Sequence, residues 1–436
     1  MARLSTRRAG AAVRPLFTGA AIAAALMATP AFAQTNAEKA AVIENYANIA
    51  EAAYGDAAST ARVLQGAVTA LIAKPSGQTL DAARKAWRAA RVPYMQTEAF
   101  RFGNPIIDDW EGNVNAWPLD EGLIDYVDSS YGTDSDENPL YTANVIANGK
   151  ITQGGKTINA DPITWRTLRN LEEVGGVEAN VSTGYHAIEF LLWGQDLHGT
   201  GPGAGERPAT DYAKGAACTN GHCDRRADYL RVATQLLVDD LAYMTKQWAA
   251  SGAARTNLTK GEPDKGISVM LTGLGSLSYG ELAGERTKLG LMLHDPEEEQ
   301  DCFSDNTYNS HYYDVVGIHN VWVGSYTRVD GKIVKGPSLE SLAAKADEAA
   351  AKDVTAKMAV TMERATTLKQ RGETVEAYDQ MLAENNPEGN AVLQGLVDGL
   401  TDQTHAIERV VAALKLGSIQ FEGSKSLDSP DDVFAK

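Results

Sequence analysis

Along most of the chain, apolar residues recur at i, i+3 and i+4, the spacing that gathers them on one face of a helix. Residues 38–73, 79–102, 163–194, 224–251, 338–372 and 388–416 carry this pattern in Ala- and Leu-rich sequence and are expected to be helices. No sustained alternation competes with them, so the expected fold class is all-α. Stretches rich in Gly, Asn, Asp and Pro lie between, at 103–162 and 197–222, and residues 252–337 mix short helical pieces with Gly-rich and acidic turns. Loops of this length in a compact protein are usually functional or disordered. Trp110, Trp117, Tyr126, Tyr308, Tyr312 and Tyr313 fall within them and point to ordered, packed loops. Two helical-bundle domains are expected, residues 34–210 and 224–436, with the boundary in the loop near 198–223. One tetrapeptide, His186-Ala187-Ile188-Glu189, recurs as His405-Ala406-Ile407-Glu408 in the last helix of the second half, which raises a duplication.

The N-terminus follows a different pattern. Arg3, Arg7, Arg8 and Arg14 precede a short apolar run, Leu16 to Met27, and then Ala31-Phe32-Ala33. A basic stretch, a short apolar run and an Ala-x-Ala site read as a cleaved signal peptide over residues 1–33, so the protein is expected in the periplasm. That run is too short for a permanent membrane span, and no later stretch is long enough either. The full chain carries a net charge of −17, which speaks against nucleic acid and anionic membrane surfaces as partners. Cys218 and Cys223 flank a short loop and are expected to form a disulfide in an oxidising compartment, with a metal clip through His222 as the alternative; Cys302 is left over.

The two His-x-x-Glu copies differ in their surroundings. On a helix, residues three apart share a face, so each copy sets an imidazole beside a carboxylate, a pairing from which helical bundles build metal sites. Around His405, the residues Leu396, Leu400, Ile407, Val410, Val411 and Leu414 gather on the opposite side, leaving His405 and Glu408 on a polar face with Asp402 and Arg409. Around His186, the residues Tyr185, Ile188, Phe190, Leu191, Leu192 and Trp193 make the helix apolar all round. Such a helix is buried, and an ionised Glu189 there needs a partner, a hydrogen bond or a metal. A satisfied core His–Glu pair is the plain alternative. Gly184 just before the pair allows close backbone approach or an unusual dihedral, and Ser182 or Thr183 can cap the helix.

A metal needs further ligands. Glu98, near the end of the 79–102 helix, and Asp120 in Trp117-Pro118-Leu119-Asp120-Glu121-Gly122 are the first candidates. The site is expected in a polar, metal-binding cleft at or near the domain interface, with Glu121, Glu281, Glu285 and Arg286 as further candidates for lining it and Glu281 and Glu285 sharing a helical face at i, i+4. His294, Asp305, His311 and His319 flank an acidic loop. Bound as a neutral imidazole, His186 would give an affinity that falls as pH drops through the histidine range.

The Gly184-Tyr185-His186-Ala187-Ile188-Glu189 segment resembles the Gly-x-His-x-x-Glu motif of the imelysin-like family, which includes the iron-regulated protein A group. The segments RFGNPIIDDWEGNVNAWPLDEGLIDYV (101–127) and DCFSDNTYNSHYYDVVGI (301–318) are similar to that group too, so the resemblance spans nearly the whole mature chain. It implies a periplasmic, all-helical protein associated with iron uptake, with iron as the bound metal (zinc as the alternative) and an iron-containing ligand or periplasmic or outer-membrane uptake proteins as partners. The family was first labelled metallopeptidases. This chain lacks the His-Glu-x-x-His arrangement of zincins, and Phe190 stands where the inverted motif needs His. A metallopeptidase and a non-catalytic interaction protein are the alternatives to a metal-capture role.

Overall fold

A computed structural model of the protein describes residues 35–434; the expected signal peptide lies outside the described residues. The chain opens with helix α1 (Asn36–Ala73), started by a capping box between Thr35 and Glu38. Ala47, Ala50, Ala53, Ala57 and Ala61 are buried along it at helical spacing, and side chains this small let neighbouring helices approach closely. Those neighbours are α2 (Gly77–Met95) and, from far along the chain, α5 (Cys223–Trp248). Between them come α3 (Pro105–Asn115) and α4 (Gly184–Trp193). After α5 follow α6 (Pro263–Ser276), α7 (Thr307–Val323), α8 (Glu348–Thr374) and α9 (Pro387–Ala413). α7 packs on α2 and on α8, and α8 on α9, so helices of both halves meet. The described residues belong to one compact unit.

The all-α expectation holds, with two short antiparallel hairpins, Lys150–Gln153 with Lys156–Asn159 and Ser325–Thr327 with Ile333–Lys335. Three boundaries differ from the sequence pattern. The expected helix over 163–194 is two helices, Trp165–Leu171 and α4, because Glu173, Gly175 and Gly176 take left-handed dihedrals that no helix continues. The stretch 338–372 breaks at Asp347, whose carboxylate accepts from the amides of Ala349 and Ala350 and starts α8. The region 252–337, expected as short pieces and turns, holds two long helices. One of them, α6, runs on without a break into a π-helix, Leu277–Lys288. Cys218 and Cys223 form the expected disulfide, and Cys302 is unpaired.

Candidate metal centre

Helix α4 is buried at every position, as its all-apolar circumference requires. It enters the interior through Gly184, whose φ of +82° places its Cα against the backbone of Val114. Thr183 holds the N-cap position without capping, since its hydroxyl donates to Asn113 O and Glu172. Trp87 of α2 donates its indole N–H to Tyr185 O at 2.9 Å and fixes α4 on α2.

Two residues further, His186 is 1% exposed and Glu189 fully buried, with Nδ1 3.1 Å from Glu189 Oε2. The other expected copy is the opposite: the side chains of His405 and Glu408 are 62% and 59% exposed. Asp301 completes the first cluster. Its Oδ1 lies 3.9 Å from His186 Nδ1, and one ligand atom from each of His186, Glu189 and Asp301 lies within 4.8 Å of the others. Asp301 is not among the ligands expected from the sequence, although it opens the segment 301–318 that carries the family resemblance. The loop carrying it also delivers the Ser304 N–H, which donates to Glu189 Oε1 at 3.0 Å.

Asp301 keeps its charge. Burial works against it, but the Arg91 guanidinium, 2.7 Å away, more than offsets that and holds its carboxyl below the usual range. Asn306 and Ser310 also donate to it. Arg91 is itself packed among the rings of Trp87, Tyr94 and Tyr185. Burial, reinforced by the charge of Asp301, drives Glu189 well above the carboxylate range. Burial and the Arg91 charge push the His186 imidazole down to about 3. The expected loss of affinity through the histidine range is therefore corrected: this ring is already neutral there, and the proton a cation would displace is that of Glu189.

The fit to a divalent ion rests on three buried side chains whose ligand atoms converge, and unpartnered polar atoms lie among them. His186 Nε2 is buried with no hydrogen-bond partner, as are Ser304 Oγ and Tyr94 Oη. Imidazole nitrogen with two carboxylates suits iron, zinc or manganese. Two carboxylates against one guanidinium leave the cluster able to take a positive charge once Glu189 gives up its proton.

The remaining candidates lie elsewhere. Glu98, expected as a ligand, is instead bound to the Arg286 guanidinium at 2.8 Å, together with Glu281 at 2.7 Å and Asp314 at 3.1 Å. The expected Glu281–Glu285 face does not form. In a π-helix the hydrogen bonds run i to i+5, and the wider turn aligns Glu281 with Arg286. Glu285 stays half-buried outside this network. Asp120 accepts from Asn138 at 2.5 Å and sits at the N-cap of a short helix without capping it. With Glu121, which burial raises to about 7, it lines a cleft of about 520 Å³ and does not join His186.

His311 lies between the two arginine networks. Neither ring nitrogen has a partner, the ring meets Tyr378 edge-on at 5.1 Å, and burial with the charge of Arg286 pushes it down to about 3. The unfolded chain takes up a proton here below about pH 6.5 and the folded chain does not, so each pH unit on the way down removes about 1.4 kcal/mol of stability. His311→Gln is expected to flatten the pH dependence of urea unfolding between roughly pH 6 and 4 by that slope. A variant as acid-sensitive as the wild type would show that His311 protonates within the fold.

The imelysin family model (Peptidase_M75) matches residues 50–407. Iron-regulated protein A of Synechococcus elongatus is 25% identical over 297 residues, which cover 66% of this chain and 63% of that protein. The match thus spans less than two thirds of the relative's length. Two crystal structures share the fold. A protein described as an iron-regulated protein A precursor from Parabacteroides distasonis superimposes with a TM-score of 0.59 at 16% identity, covering 87% of this chain and 96% of its own. An imelysin-like protein from Psychrobacter arcticum gives 0.55 at 16% identity, with 88% and 97% covered.

Proposed function

The chain belongs to the imelysin family, and from that premise we propose that it is an exported metal-binding protein that captures or senses iron in the periplasm. His186, Glu189 and Asp301 would be the ligands. The observation that carries this reading is the buried trio of His186, Glu189 and Asp301, with Nδ1 of His186 facing both carboxylates and one of these storing a proton where a cation could sit. His186, two acids and the Arg91 guanidinium bound to Asp301 are costly groups to bury for packing alone. Iron is favoured over zinc by the similarity to an iron-regulated protein. Export is supported by the basic, apolar and Ala-x-Ala pattern of residues 1–33. Among the described residues, no helix is long and apolar enough to cross a membrane.

Burial weighs against the peptidase alternative. A metal that activates water must also meet a peptide bond, and His186, Glu189 and Asp301 are each no more than 1% exposed. A sealed site favours binding over hydrolysis. The test is the metal content of wild-type protein against His186→Ala, with His405→Ala as the exposed control.

A further inference from the structure

The loop that supplies Asp301 carries a second set of acids that this reading does not use. Glu299 and Asp305 come from that loop and Asp379 from the short helix Tyr378–Leu382. One carboxylate oxygen of each lies within 4.8 Å of the others. Glu299 and Asp379 are each 1% exposed. Neither oxygen of Asp379 has a hydrogen-bond partner, nor has Oε1 of Glu299 or Oδ1 of Asp305. Among the described residues, none of the three forms an ion pair with a lysine or arginine. Elsewhere in this interior the acids are matched: Asp301 has Arg91, while Glu98, Glu281 and Asp314 share Arg286. Three carboxylates facing one another, several of their oxygens unpartnered and none paired directly with a cation, are costly unless something positive lies between them.

We propose that Glu299, Asp305 and Asp379 form a second metal site, for a hard divalent cation of the calcium type, distinct from the His186 cluster. All three donors are oxygen, with no nitrogen or sulfur, which selects calcium or magnesium over iron or zinc. Calcium takes oxygens at about 2.3–2.6 Å, so donors on opposite sides of one ion stand roughly 5 Å apart. The three oxygens, all within 4.8 Å of one another, fall inside that span, and the flexible shell of calcium tolerates such a set better than the strict octahedron of magnesium. Water would reach the ion along the narrow acid-lined cleft of Glu121, Asp196 and Glu297, which Glu299 and Asp379 also line, and would complete its shell.

A cation here ties the loop to the Tyr378–Leu382 helix. The same loop holds the Asp301 carboxylate and the Ser304 N–H against His186 and Glu189, so the site braces the first centre without contributing to it. The proposal stands whether or not His186 binds a metal.

The experiment is calorimetric titration of calcium chloride into chelator-treated full-length protein, with thermal unfolding followed in parallel. Wild type and His186→Ala are each expected to take up calcium saturably, with a higher unfolding midpoint in calcium. Asp379→Asn keeps the shape and removes a charge, and is expected to lose both effects. Glu299→Gln carries the same expectation should the first variant fail to fold. No calcium uptake by wild type would overturn the proposal. So would binding that survives Asp379→Asn or Glu299→Gln, or binding that is lost in His186→Ala.

Discussion

Arg286→Met is expected to destabilise the protein by about 3–5 kcal/mol, the loss typical of removing one partner from a buried ion network. The guanidinium is 3% exposed and binds three acids, of which Glu98 and Asp314 are themselves buried. A methionine of similar length fills the space and offers nothing to the carboxylates, so their desolvation is no longer compensated. The sign of the pH dependence follows. Stranded carboxyls have raised pKa values in the folded variant, so stability is retained at low pH and lost as pH rises. The deficit against wild type should therefore be larger near pH 8 than near pH 5, measured by urea unfolding at both. A deficit of under about 1 kcal/mol, the range of an exposed pair, would show that water reaches this network. Glu281→Gln should cost less, because Glu281 is 22% exposed and can rehydrate.

Gly184→Ala is the second large effect. An added Cβ would stand 2.5 Å from Val114 O and 2.6 Å from Val114 C, backbone atoms that cannot rotate aside. The positive φ costs an alanine about 1–2 kcal/mol before any clash, and overpacking of this kind adds roughly 1–3 kcal/mol. A total loss of about 2–5 kcal/mol is expected in urea unfolding. The first turn of α4 would also shift from Val114, carrying His186 with it, so the variant that folds should bind metal more weakly than wild type. Stability and metal affinity both within error of wild type would mean that α4 is not pinned at this point.

The architecture was legible in the sequence where packing follows a simple period. The heptad-like apolar spacing of α1, α5 and α9 located them to within a few residues, and the contrast between the two His-x-x-Glu copies separated a buried pair from an exposed one. That contrast needs only the neighbours on each helix. What the sequence did not show was set by tertiary geometry. Asp301 lies over a hundred residues from His186, in a loop with no periodicity to report where its side chain points. Glu98 sits on a plausible stripe with Tyr94 and Trp87, but nothing local reveals that Arg286 meets it from the other half of the chain. The π-helix misled for a definite reason: residues 277–288 read as an ordinary helix, and only the wider turn brings Glu281 onto Arg286. Likewise Asp347 and Glu173 interrupt apolar patterns that continue on both sides of them.

The most direct measurement is the metal-to-protein ratio, by elemental analysis, of untagged protein loaded anaerobically with ferrous iron and freed of excess. Wild type and His405→Ala should each retain about one equivalent at the His186 centre, while His186→Ala retains none there, as expected when a buried nitrogen ligand is removed. Equal iron in wild type and His186→Ala, or none in wild type, would contradict a metal centre at His186, Glu189 and Asp301.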